Sequence, residues 1–186
     1  MKSFLDKFRS ALAVVGKVEL YMGCLFLLGI LLCITVQVVM RSLFNEPIAW
    51  TDELAVYAFV WLTFTGTSIA FKLMRHITIQ SFVSAFPAKL QSIFRVIIYC
   101  LIFALAAVLY KEIGRTMQME NMSTTVALPI KLPRSWFFSL PLRICMLMTV
   151  ITAFYYSLAG IYGTFTGTKL EPIMDSHFIE EEEIEL

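Results

Sequence analysis

Four long apolar runs constrain this chain more than anything else in it. An α-helix rises about 1.5 Å per residue and the hydrocarbon core of a bilayer is about 30 Å thick, so a crossing helix needs roughly 20 apolar residues. Residues 20–40 supply them, with Gln37 the only strongly polar side chain, and residues 54–74 do so again. The run 93–110 is shorter, and Arg95 near its start is placed to snorkel to the headgroups. The fourth run covers 135–163, its start open between Ser135 and Ile144. Backbone polar groups in lipid are satisfied only within helices or closed barrels. These runs are continuous rather than alternating, so they predict helices. The expected fold is an all-α integral membrane protein with four transmembrane helices. Composition agrees: 59% of residues are hydrophobic and 16% charged, with mean hydropathy +0.77, against about 45–50% and about 25% in soluble domains. A net charge of +1 without a basic cluster excludes a nucleic-acid partner.

Residues 1–17 read differently. Phe4, Leu5, Phe8, Leu12 and Val15 recur at helical spacing, with Lys2, Asp6, Lys7 and Arg9 between them. This predicts an N-terminal amphipathic helix lying in the membrane interface; the alternative is a polar extension of the first span. The first apolar run is too long for a signal-peptide core, and no small-x-small site follows it, so it is expected to remain as an anchor. The division expected is residues 1–17, a transmembrane domain over 18–166, and an acidic tail over 167–186. The run from Glu180 to Glu183, with Glu185, makes that tail a solvated end. Lys2, Lys7, Arg9 and Lys17 flank the first span, and Lys72, Arg75, Lys89 and Arg95 edge the connection after the second. The positive-inside rule then places the N-terminus, and after four spans the C-terminus, in the cytoplasm. Lys111, Arg115, Lys131 and Arg134 run against that rule.

Little catalytic chemistry is legible. His76 and His177 are the only histidines, and neither lies inside a span as a haem ligand would. No Cys, His and carboxylate cluster has metal-ligand spacing, and no phosphate loop or nucleophile motif appears. No enzyme activity, cofactor, catalytic residue, substrate-binding residue or metal site is expected. Cys24, Cys33, Cys100 and Cys145 lie in apolar stretches and read as buried free thiols. The candidate residues are structural or partner-contacting. Asp52 and Glu53 open the second span, where they complement a helix dipole or pair with another subunit. Gly66 and Ala70, with Thr63 and Thr67, form small-residue pairs that permit close helix approach, by default within the chain. Arg143 lies about 12 Å into the fourth span if that helix starts near Ser135, and otherwise marks the end of an interfacial segment. Pro141 and Trp136 favour the second placement.

The stretch from Arg41 to Ile79 contains Arg41 ending the first span, Trp50, Asp52, Glu53 and Leu54 opening the second, then Trp61, Gly66 and a closing Arg75, His76 and Ile77. Further on come Ser123, Thr124, Leu128, Pro129, Pro133, Trp136 and Pro141. In order and spacing, this set resembles the small membrane subunit, the DctQ-like family, of tripartite ATP-independent periplasmic (TRAP) transporters. The resemblance implies a four-helix scaffold in the bacterial inner membrane, beside a large elevator-type membrane subunit that carries the substrate and sodium sites. It also implies a soluble periplasmic substrate-binding protein as a second partner, and organic acids such as C4-dicarboxylates or sialic acid as substrates. The acidic tail looks like that of an unfused small subunit. Arg41, Trp50, Glu53 and His76 carry over as contact or structural candidates, while Arg143 is outside the family's pattern. A small stand-alone oligomeric transporter and a membrane anchor for a redox enzyme are the alternatives. The first would need a polar pathway and the second intramembrane histidines.

Overall fold

The computed structural model describes residues 2–46, 48–73, 88–166 and 172–174. Helix α1 runs Lys2–Val39 and ends in a π-helical turn, Met40–Phe44, closed by Asn45 in the left-handed region at φ 54°. Helix α2 spans Ala49–Lys72, α3 Ala88–Glu120 and α4 Ser139–Thr166, the last preceded by a 3-10 turn at Arg134–Trp136. Each of the four is long and apolar enough to cross a membrane. No strand occurs among the described residues.

Three boundaries depart from expectation for identifiable reasons. Residues 2–17 are not a separate interfacial helix, because α1 continues through them without a break. No proline interrupts the helical pattern there, and the helix runs through Gly16. Helix α3 continues ten residues past Tyr110, through Lys111, Glu112, Arg115 and Gln118, which are strong helix formers even where they are polar. Helix α4 begins at Ser139, so Pro141 falls in its first turn, where a missing N–H costs no hydrogen bond.

Contacts divide the chain into two units. One gathers residues 1–18, 68–108 and 147–186, and so holds the start of α1, the end of α2 and the end of α4. Its core is Leu5, Leu12, Phe71, Ala153, Tyr155, Tyr156, Ile173 and Met174. Leu5 and Leu12 are thus buried in protein, and Phe8 packs on Tyr155 at 5.8 Å between ring centroids. The apolar stripe read as facing lipid faces α4 and a returning segment instead. That segment, 172–174, was expected within a solvated tail, yet Ile173 and Met174 are buried. The Arg9 guanidinium donates to the Pro172 carbonyl at 2.8 Å, and the Ile173 N–H donates to the Lys72 carbonyl at 3.2 Å. The Tyr156 hydroxyl donates to the same carbonyl at 2.7 Å. These bonds fill an acceptor that the end of α2 leaves without an intrahelical partner. The acidic run after Met174, like His177, lies outside the described residues.

The second unit gathers residues 19–67 and 109–146. It holds the α1–α2 connection and the whole α3–α4 connection. Phe26 stacks obliquely on Trp61 at 5.6 Å, and Tyr57 stacks on Phe137 at 4.1 Å with Phe138 edge-on at 5.6 Å. Outside these contacts the helices turn large apolar side chains outward, Leu25, Leu28, Leu32, Val56 and Phe59 among them. Only Cys145 of the four thiols is buried; Cys24 and Cys100 are exposed on helix surfaces, which corrects the reading of all four as core residues.

Candidate functional site

The most organised polar site is built on Glu53, one turn into α2. Its Oε1 accepts the Val126 N–H at 3.0 Å, and its Oε2 accepts the Ala127 and Leu128 N–H groups at 2.6 and 2.8 Å. The Tyr57 hydroxyl, one turn further along α2, donates to Oε1. A carboxylate has about four lone-pair sites, and here four donors converge on them. Hydrogen bonds to an ionised acceptor are roughly twice as strong as neutral ones.

The loop so held is itself ordered. The Thr125 N–H donates to the Leu132 carbonyl at 2.9 Å and the Arg134 N–H to the Ser123 carbonyl at 2.9 Å, with Thr124 and Pro133 bridged antiparallel. The buried Thr125 hydroxyl donates to the Ile130 carbonyl at 2.8 Å and accepts the Leu132 N–H at 3.2 Å. Its base is fastened to the helices on either side: Ser135 donates to the Asn121 side chain, and Ser139 donates to Glu120. Proline at 129 and 133 removes two N–H groups from a tight turn that has few acceptors to offer. On this frame Met122 is 91% exposed and Val126 87%.

The other candidates sit as follows. Asp52 accepts the Gln37 side-chain amide at 2.9 Å, and the Gln37 carbonyl accepts the Thr51 hydroxyl at 2.6 Å. The one polar side chain of the first span is therefore satisfied at the start of the second. Trp50 is half-exposed in the first turn of α2, and Arg41 is exposed in the π-helical turn. Gly66 faces open space, where an added Cβ would meet nothing within 4 Å. No other described helix therefore approaches the chain closely at Gly66. Thr63 and Thr67 donate to the Phe59 and Thr63 carbonyls of their own helix, both at 2.8 Å. Arg143 is half-buried early in α4, its guanidinium 5.1 Å from the Tyr110 ring centre and its Nη1 3.7 Å from the Met117 sulfur. His76 and its neighbours Arg75 and Ile77 lie outside the described residues. Among the described residues, no three Cys, His, Asp or Glu side chains are grouped to hold a metal ion.

Glu53 lies near the start of α2, but its hydrogen-bond partners are not legible in the sequence. They lie 73 to 75 residues away and are backbone groups, which carry no side-chain signature. The buried plug at 172–174 was missed altogether. Its one signal was Pro-Ile-Met, an apolar triplet in an otherwise polar end.

Fold and site together define a multi-pass α-helical membrane protein whose polar groups are spent on fixing its own connections. More narrowly, the chain belongs to the DctQ component family of tripartite ATP-independent periplasmic transporters, which it matches over residues 30–160. Members of that family are transporter subunits and not enzymes. The chain is 31% identical over 83 residues to the C4-dicarboxylate TRAP transporter small permease protein DctQ of Vibrio cholerae, a match covering 43% of this chain and 36% of that one. It is 29% identical over 76 residues to the sialic acid TRAP transporter small permease protein SiaQ of the same species, covering 41% and 44%. It is also 26% identical over 89 residues to the sialic acid TRAP transporter permease protein SiaT of Haemophilus influenzae, covering 48% and 14%. The chain thus spans less than half the length of these relatives.

Proposed function

We propose that this chain is the fixed small subunit of a sodium-coupled TRAP transporter in a bacterial inner membrane. It braces a larger membrane subunit and helps seat a periplasmic substrate-binding protein. Both termini are cytoplasmic in this reading, and the transported compound is an organic acid of the C4-dicarboxylate or sialic acid class, as the names of the relatives suggest. The single observation that carries it is the Glu53 clamp. A carboxylate inside a membrane protein often marks a transport or proton path. Here it is consumed by three loop N–H groups and a tyrosine hydroxyl, and the product is a stiff, apolar-tipped connection. That supports a bracing part better than a conducting one.

The test is co-expression with a large TRAP membrane subunit from the same genome, purification in mild detergent, and uptake of a labelled C4-dicarboxylate and of sialic acid by cells. The expected outcome is a stable complex and loss of sodium-dependent uptake when this chain is deleted. A chain that runs alone, with uptake surviving its deletion, would overturn the proposal.

A further inference from the structure

Arg143 is a cation early in a membrane-crossing helix, and no described residue gives it an anion. It follows Ser139 by four residues, so it lies about 6 Å along α4. The exposed Trp136 just before the helix is of the type that sits at the headgroup level. Its two contacts are soft: the face of Tyr110 and the Met117 sulfur. Neither offers an oxygen to the remaining guanidinium N–H groups. Among the described residues no carboxylate pairs with it. Glu112 is bound to Arg115 at 3.1 Å, and Glu120 accepts from Ser139.

The geometry leaves room for a ligand. Tyr110, Gly114 and Met117 follow one another at i, i+4 and i+7, along one face of α3. Arg143 touches the first and the third, so its side chain crosses the level of the second. A Cβ built on Gly114 would meet nothing within 4 Å. The surface of α3 is therefore open at Gly114, a notch between the flanking Tyr110 and Met117 side chains. Next to Arg143 on α4, Ile144 is an exposed apolar side chain, an outward flank suited to an acyl chain.

We propose that Arg143, Tyr110 and Gly114 form a seat for the phosphodiester of a membrane phospholipid headgroup. Two phosphate oxygens match the planar fork of a guanidinium, and an unmade arginine donor is costly in lipid. Tyr110 holds the fork by cation–π contact, Gly114 leaves the space, and Ile144 flanks the lipid tail. A free phosphate shares the headgroup chemistry but gains nothing from that flank.

The experiment uses the full chain in a neutral maltoside detergent. It is titrated with phosphatidylglycerol, with a glucosyl diacylglycerol that has no phosphate, and with inorganic phosphate. Thermal stability and lipid retention by native mass spectrometry are read for each. Phosphatidylglycerol is expected to be retained and to raise Tm, while the glycolipid and inorganic phosphate at equal concentration do neither. Arg143→Gln should lower retention roughly tenfold or more, in line with loss of a charged hydrogen bond. Arg143→Lys should lower it less. Gly114→Leu fills the notch while keeping the charge, so it should lose retention with unchanged helical circular dichroism. Equal retention by Arg143→Gln and Gly114→Leu would overturn the seat, as would equal binding of the glycolipid. Stabilisation by inorganic phosphate alone would overturn the lipid as ligand. Unchanged retention alongside loss of a co-purified large subunit in Arg143→Gln would assign the guanidinium to a partner's carboxylate and overturn the proposal.

Discussion

At the scale of single residues the molecule's polar chemistry is bookended by satisfied groups, and Glu53 is where that matters most. Removing its charge leaves three consecutive loop N–H groups facing a poorer acceptor. Glu53→Gln keeps the shape but puts an amide nitrogen where an acceptor oxygen stood, so at least one of the N–H groups loses its partner. Hydrogen bonds to charged groups contribute about 1.5–3 kcal/mol, less where solvent reaches them, so a loss of about 1–2 kcal/mol is expected. Tyr57→Phe removes only one donor and keeps the stack on Phe137, and should cost about 1 kcal/mol or less. The check is thermal unfolding together with amide exchange at Val126, Ala127 and Leu128. Faster exchange confined to those three amides in Glu53→Gln, and near-native exchange in Tyr57→Phe, is the expected pair of results. Arg143 makes the contrasting case, since its charge is visible in the sequence while its packing on Tyr110 and Met117 is not. Periodicity shows which residues share a face of one helix. It is silent on which faces of two helices meet.

At the scale of elements, the end of α2 and the returning segment 172–174 form a joint whose tightest point is Gly16. A Cβ there would stand 2.2 Å from the Met174 sulfur and 3.4 Å from Lys72 Cδ. Gly16→Ala therefore pushes Met174 out of its place, and overpacking of this kind costs typically about 1–3 kcal/mol. Met174→Ala alone opens a void in the core and should cost about 2–5 kcal/mol, the range of buried Met→Ala changes. The double variant Gly16→Ala with Met174→Ala should recover part of the loss, because the added methyl fills the space the sulfur left. Thermal melts of the four proteins give the coupling directly, and strict additivity would mean that the two residues do not meet. The helices themselves were legible because four apolar runs have only one stable form in lipid. Their lengths were not, because polar residues such as Lys111 and Glu112 end an apolar run without ending a helix. The plug was illegible for a related reason: three residues are too few to show a period, and their burial depends on Arg9, Lys72 and Tyr156, which come from three different helices.

At the scale of the whole molecule, four crossings fix which connections share a side of the membrane, and charge decides which side that is. The first unit contains the N-terminal start of α1 and the C-terminal end of α4. The second contains both the α1–α2 connection and the Glu53-held loop. In the orientation proposed above, Lys2, Lys7 and Arg9 lie in the cytoplasm as the positive-inside rule favours, while Lys111, Arg115, Lys131 and Arg134 lie outside against it. That excess loses part of its weight in the structure. Arg115 is paired with Glu112, Arg134 lies over the Phe138 ring at 5.4 Å, and Glu53 and Asp52 add negative charge to the same unit. Sidedness follows from single cysteines in a chain whose four native thiols are replaced. Met122→Cys, on the most exposed part of the loop, should react with an impermeant maleimide in intact spheroplasts. Ser10→Cys, exposed on α1, should react only after the membrane is opened. The reverse pattern would turn the protein over and remove the loop from the face that a periplasmic partner can reach. Labelling of both positions in intact cells would break the even count of crossings on which the cytoplasmic placement of both ends depends.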